Sequence, residues 1–204
     1  MANTECQMMN NERRKAVWGG RIALAVLLAV VVMATTSCSQ AVLEGDSSSY
    51  LVMTSLTGGS DNTSTVESDV VSDAGGIVQD SGQATLSLQM KDVGGPGPSP
   101  VNSITITQYR VDYIRSDGRN TQGVDVPFGF SSGVTATVAG TSTVTFTLVR
   151  AQAKHEAPLK ALAGHGAAQH ISTIARVTFY GRDQTGREVS VTGNIEVSFA
   201  DWAG

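Results

Sequence analysis

The sequence predicts an all-β domain, an antiparallel sandwich of short strands, and three observations carry that expectation. From residue 83 onward, apolar and polar residues alternate with a period of two in several separate runs. Clusters of Gly, Pro, Asn, Asp and Ser punctuate those runs at fairly regular spacing. Between the later runs, one segment, Lys154 to Gly164, reads as a helix rather than a strand.

The elements follow in order. Ala84, Leu86, Leu88 and Met90 alternate with Thr85, Ser87, Gln89 and Lys91, which gives a strand one apolar face. The stretch GGPGPSP (94–100) holds three of the five prolines and cannot remain in a ladder. In the run from Asn102 to Ser116, Ile104 and Ile106 share one phase while Tyr109, Val111 and Tyr113 share the other. That change predicts a bulge, or a move between sheets, near Thr107–Gln108. Asp117 to Gly133 reads as a long loop, followed by strands at Val134–Val138 and Thr143–Arg150 joined by the turn AGTS.

The helix is expected from Glu156 near its start, Pro158 in its first turn, Leu159 and Leu162, and Gly164 as its stop. Two strands, Ile171–Tyr180 and Glu188–Phe199, close the domain through the hairpin GRDQTGR, with Gly186 at the turn. In the last strand Val189, Val191, Ile195, Val197 and Phe199 face inward. Gly193 shares their phase, so a bulge or a close neighbour is expected there. Trp202 is expected to cap the sandwich end.

Roughly six to eight short strands with turns between them suit a two-sheet sandwich. The long third strand, the helical crossover before the penultimate strand and the last hairpin resemble an immunoglobulin-like domain over residues 83–202. The Cys…Trp…Cys signature of true immunoglobulin domains is missing. The resemblance therefore implies a fold and no activity.

Residues 38–82 are rich in Ser, Thr, Gly and Asp and read as a flexible tether, with a possible edge strand at 50–56 and, after it, short elements where Val66 to Val71 and Gly76-Ile77-Val78 are apolar enough to pack. Between Ile22 and Met90 there is no Lys or Arg, while Glu44, Asp46, Asp61, Glu67, Asp69, Asp73 and Asp80 are acidic. With a net charge of -4, this distribution argues against a nucleic-acid partner.

Ahead of the tether lies an apolar run, Ile22 to Ala34. It is short of the roughly 20 residues that span a hydrocarbon core, yet it fits the h-region of a signal peptide. Arg13, Arg14, Lys15 and Arg21 precede it, and Thr35, Thr36, Ser37 and Cys38 follow. Over about its first 39 residues the chain resembles a bacterial prolipoprotein with a signal peptide at 1–37. Ser37 matches the small residue wanted before the cut, and Thr35 stands where leucine is usual.

That resemblance implies diacylation of Cys38, cleavage just before it and a stable lipid anchor in the membrane. Ser39, in place of Asp, implies the outer membrane. The alternatives are an ordinary secretory signal cut after Ala41, with loss of Cys38 and a soluble periplasmic or secreted product, or an uncleaved anchor. Arg13-Arg14 also opens a twin-arginine route, although Ala16-Val17 matches its hydrophobic pair poorly. Cys6 and Cys38 are the two cysteines, so a lipidated mature chain has none to form a disulfide.

Candidate chemistry is sparse. Gly129-Phe130-Ser131-Ser132-Gly133 fits G-x-S-x-G, but a strand rather than a helix is expected after it, so it reads as a loop tip. His155, His165 and His170 lack the spacing of a zinc site. Gly164-His165-Gly166 opens like a dinucleotide loop without the preceding strand. Asp117, Asn120 and Asp125, with Asp183 as a fourth, offer oxygens for calcium; the same residues are common turn formers.

The long loop is the candidate partner-binding surface, through Arg115, Arg119, Phe128 and Phe130. Exposed phenylalanines would serve a protein partner; turned inward, they would plug the sandwich end. The expected function is a lipid-anchored, non-catalytic envelope protein, a binding or structural module with no cofactor beyond covalent lipid and with an envelope or extracellular protein as its partner. The alternative is a hydrolase or carbohydrate-active module with a shallow surface site.

Overall fold

Alternating β-branched and small polar residues build eight strands in the computed structural model, which describes residues 47–59, 63–72, 74–95 and 97–202. The expected signal peptide and Cys38 lie outside the described residues. The strands are β1 (Ser49–Gly58), β2 (Thr65–Asp69), β3 (Asp80–Met90), β4 (Ile104–Ile114), β5 (Phe130–Val138), β6 (Thr141–Val149), β7 (Ile171–Asp183) and β8 (Glu188–Ala200). They form a three-stranded sheet, β1-β3-β6, and a five-stranded sheet, β2-β8-β7-β4-β5. The fold is an all-β sandwich. Strands 1, 3 and 6 take the places of A, B and E of an immunoglobulin-like domain, and 8, 7, 4 and 5 those of G, F, C and C′. β2 runs parallel to β8 as an added edge.

The sandwich starts earlier than the sequence suggests. β1 and β2 come from the segment read as tether, and they lie in different sheets. β1 is an edge strand, as the run at 50–56 predicts, and it buries Leu51 against the core. β2 is short and acidic, with Glu67 and Asp69 on it, yet Ser68 and Val70 are buried beside β8. Val66 to Val71 mark this stretch as able to pack, but its Ser, Thr and Asp content leaves the strand only weakly written, because its stability comes from the ladder it joins.

The phase change in β4 is a bulge. Register shifts between Ile106 and Gln108 against both β5 and β7, so Thr107 is the extra residue toward β7. The bulge lets Ile104 and Ile106, then Tyr109, Val111 and Tyr113, all face the core. Gly181 pairs with Ile106 at the kink, where a Cβ would run into the Thr105 carbonyl and Ile106 Cα. Gly193 on β8 has the close neighbour its phase predicts: Met53 and Leu56 of β1 lie over it.

The predicted helix is replaced by three short turns. A four-residue helix, α1 (Ala151–Lys154), is followed by single 3-10 turns at Leu159–Leu162 and Gly166–Ala168. Pro158, which has no N–H to donate, lies between the first two and prevents one continuous ladder from 154 to 164. Leu159 and Leu162 are still buried, so the apolar spacing was a packing signal rather than a helix signal. Trp202 caps the end only partly. It is 37% exposed, and its backbone N–H donates to Asp69 Oδ1 at 3.1 Å.

The core is aromatic at its centre. Tyr109 packs edge-on against Phe146 (5.3 Å between ring centres) and Phe130 (6.2 Å), and Phe146 is edge-on to Phe179 at 5.3 Å. Tyr113 meets Phe199 in the same way at 5.7 Å. Each such pair adds about 0.5–1.5 kcal/mol beyond area burial. Both tyrosines also bond the opposite sheet: Tyr113 Oη donates to the Leu148 carbonyl at 2.7 Å, and the Thr147 N–H donates to Tyr109 Oη at 3.1 Å.

Burial holds the Tyr113 phenol in its neutral form, well above its ordinary value of 10.0. The unfolded chain releases that proton first as pH rises, so this stabilisation is full below a pH of about 10 and is lost above it. Tyr113→Phe removes the donor to Leu148 and is expected to cost about 1–2 kcal/mol at neutral pH. Urea titrations followed by circular dichroism should show that loss. They should also show the wild-type midpoint falling more steeply than the variant's above a pH of about 10.

Candidate functional site

The β4–β5 connection, residues 115–129, is an ordered loop built by its own acidic side chains. Asp117 is its centre. Arg115 Nη2 and Arg119 Nη2 donate to Asp117 Oδ2 at 2.7 and 2.8 Å, and the Arg119 N–H donates to Oδ1 at 3.1 Å. The bonds from Arg115 and then Arg119 hold its carboxyl well below the usual carboxylate range. Asn120 Oδ1 accepts the Arg115 N–H at 2.6 Å, and Asp125 Oδ2 accepts the Thr121 N–H at 3.2 Å. Every oxygen-bearing residue proposed for calcium on this loop therefore accepts a backbone N–H of the loop itself, the turn-forming role.

The tip is tied a second time. The Thr121 carbonyl accepts N–H groups from Val124, Asp125 and Val126, and Gly123 N–H donates to the Val126 carbonyl at 2.8 Å. Val126 and Pro127 are buried and pin the loop to the sandwich. Gly123 has φ of 77°, which side-chain-bearing residues rarely adopt, and any Cβ there would meet the Phe128 ring. This anchoring leaves two apolar side chains in solvent: Val124 is 67% exposed and Phe128 46%.

The four residues expected to form the binding surface separate. Phe130 turns inward, 7% exposed, as the first residue of β5, with the Arg150 guanidinium carbon 4.6 Å above its ring. It belongs to the core. Phe128 turns outward. Arg115 and Arg119 are brought together on Asp117, two guanidiniums sharing one carboxylate. Sequence reasoning missed Val124, whose signal was an apolar residue between Gly123 and Asp125 with no strand to join.

The remaining candidates are placed as follows. Ser131 lies on β5, paired at Arg110, with no helix after it, so the G-x-S-x-G match is strand rather than elbow. His155, His165 and His170 are all exposed on the crossover turns. Among the described residues no group of three or more His, Cys, Asp or Glu is placed to hold a metal ion. Asp183 anchors the last hairpin. Burial pushes its carboxyl up, but bonds from Thr185, Ser47 and the Arg187 and Thr185 backbone outweigh it, so the net shift is downward.

Two of the shallow clefts lie away from the loop residues. One, of about 410 Å³, runs along the outer face of the large sheet beside the bulge, between Gln108, Tyr180, Arg182 and Glu188. The other, of about 540 Å³, holds two acids, Glu67 and Asp80. Asp80 is already engaged, since Ser68 Oγ donates to its Oδ2 at 2.5 Å and Lys154 Nζ lies 3.0 Å from the same oxygen. Lys154 is 3% exposed and also donates to the Asp69 carbonyl at 2.7 Å. One ammonium thus joins the crossover to β2 and β3, a role nothing in the sequence separates from that of Lys160.

The fold and loop define a class, a β-sandwich module with an ordered apolar-tipped loop at one connection. No protein-family model matches the chain, and no curated protein matches it in sequence.

Removing one partner of a buried ion pair leaves the other uncompensated, at about 3–5 kcal/mol when both are fully buried. Asp80 retains some solvent contact, so Lys154→Met is expected to cost less, about 2–3 kcal/mol. A thermal melt of that variant and of the double variant Lys154→Met/Asp80→Leu checks this. The double variant should recover part of the loss.

Proposed function

We propose that this protein is a lipid-anchored envelope protein whose β-sandwich serves as a non-catalytic binding module. The observation that carries the binding reading is the loop at 115–129. A loop closed on its own carboxylates keeps one shape, and it leaves Val124 and the outer part of the Phe128 ring, which rests on Gly123, exposed to water. Exposed apolar side chains on a preorganised support are what a protein partner can cover at low entropic cost. Arg119, on the same loop and 65% exposed at its side chain, would supply a polar group to the rim.

The anchor reading rests on the sequence alone: a basic flank, a short apolar run, then Ser37-Cys38. Among the described residues no helix is long and apolar enough to cross a membrane. Two or three acyl chains on Cys38 would hold the protein at the surface where one chain would not.

Intact-mass analysis of the membrane fraction, wild type against Cys38→Ser, tests the anchor. The expected wild-type product begins at Cys38 and carries acyl chains, and the variant leaves the membrane. A soluble, unmodified product beginning near Val42 would refute it. For the loop, a photoreactive residue at position 128 should cross-link an envelope protein in intact cells, and Val124→Ser should reduce that yield several-fold.

A further inference from the structure

Among the described residues the sandwich has four edge strands, and three of them are blunted. β1 carries a register shift at Thr54. β2 is five residues long and bears Glu67 and Asp69. β5 places two residues, Val134 and Thr135, opposite the single Thr107, so it bends away from a straight edge. Bulges, charges and short length are the usual protection against pairing with another chain.

β6 has none of these over most of its length. Thr141 through Thr147 pair with Ser87 through Ser81 without a shift. Residues 126–149 contain no charged side chain, and from 128 onward they contain no proline. No described strand lies on the far side of β6. The Leu88 N–H donates to the Gly140 carbonyl at 2.7 Å, so even-numbered positions direct their backbone groups to β3. By the two-residue period, Thr141, Thr143 and Thr145 direct theirs to the open side. Thr147, next in that series, gives its N–H to Tyr109 Oη, which marks the end of the open ladder.

We infer that this edge pairs with β6 of a second copy of the chain, antiparallel about a two-fold axis at Val144. The occupant follows from symmetry. In a two-fold interface each residue meets a residue of the same strand, so a charged edge repels itself and an uncharged one does not. Centring on Val144 sets Thr143 opposite Thr145 of the partner copy and Thr141 opposite its Thr147. The Thr143–Thr145 pairs exchange backbone hydrogen bonds from the groups that point outward. Their hydroxyls meet as threonine pairs already do inside one chain, at Thr85–Thr143, Thr105–Thr137 and Thr178–Thr192. The two three-stranded sheets become one sheet of six. This inference is independent of the anchor and of the 115–129 loop.

The test is the protein mass of the full-length chain in detergent micelles, by light scattering corrected for detergent. Wild type is expected at twice the mass of one chain. Thr143→Lys/Thr145→Lys sets like charges opposite each other across the axis and is expected at the mass of one chain, with unchanged circular dichroism. Thr143→Lys/Thr145→Glu sets Lys against Glu in both pairs and is expected to restore the doubled mass. A wild type of single mass, or a doubled mass that survives Lys/Lys, overturns the inference. So does a Lys/Glu variant that remains single while folded.

Discussion

Two tyrosine hydroxyls on β4 cross the sandwich and bond the backbone of β6, and the remaining architecture is arranged around that crossing. With Cys6 and Cys38 as its two cysteines, the sandwich has no pair that could link one sheet to the other. The tyrosines do that work through both ends of the side chain. Their rings interlock with Phe146, Phe179 and Phe199, and their hydroxyls satisfy a carbonyl and an N–H near the irregular end of β6. A buried backbone group left unpaired costs about 1–3 kcal/mol, so the hydroxyls matter more than their modest net bond energy suggests. Position on β4 is therefore constrained at Tyr109 and Tyr113 together, and the bulge at Thr107 is what turns both inward on the same face as Ile104 and Ile106.

That dependence explains which features were legible in the sequence. A bulge changes the phase of an alternating strand, and Ile104, Ile106, Tyr109, Val111 and Tyr113 record the change directly. Gly193 in the inward phase of β8 likewise records the approach of Met53 and Leu56. The hairpin at Gly186, with φ of 88°, is written in its turn residues. Illegible features were those made by tertiary contact. β2 exists because β8 offers a parallel ladder, and Lys154 is buried because Asp80 and Asp69 converge on it. The crossover looked helical since Leu159 and Leu162 are spaced for one buried side, and the chain uses isolated turns to achieve the same burial.

The candidate site was legible in outline only. A long Asp-, Asn- and Gly-rich connection identified the loop, but its two phenylalanines take opposite roles. Phe130 begins a strand beneath Arg150, so it joins the core. Phe128 is held against Gly123 and left facing water. No pattern in the residues distinguishes them, because the difference is set by where β5 starts. The residues read as possible cation ligands also accept hydrogen bonds from the loop's own backbone, and Asp117 lies between two arginines.

The parallel pairing of β2 with β8 has a mechanical side. β2 belongs to the amino-terminal part of the sandwich and β8 is its last strand, and their five residue pairs run in the same direction. The incoming end of β2 and the outgoing end of β8 therefore lie at opposite ends of that ladder. Tension between the leading end of β2 and the trailing end of β8 would slide the two strands past each other and load all five pairs together. An antiparallel pairing pulled from one end would instead peel, one bond at a time. A module held at one end and pulled at the other is best served by the shear arrangement.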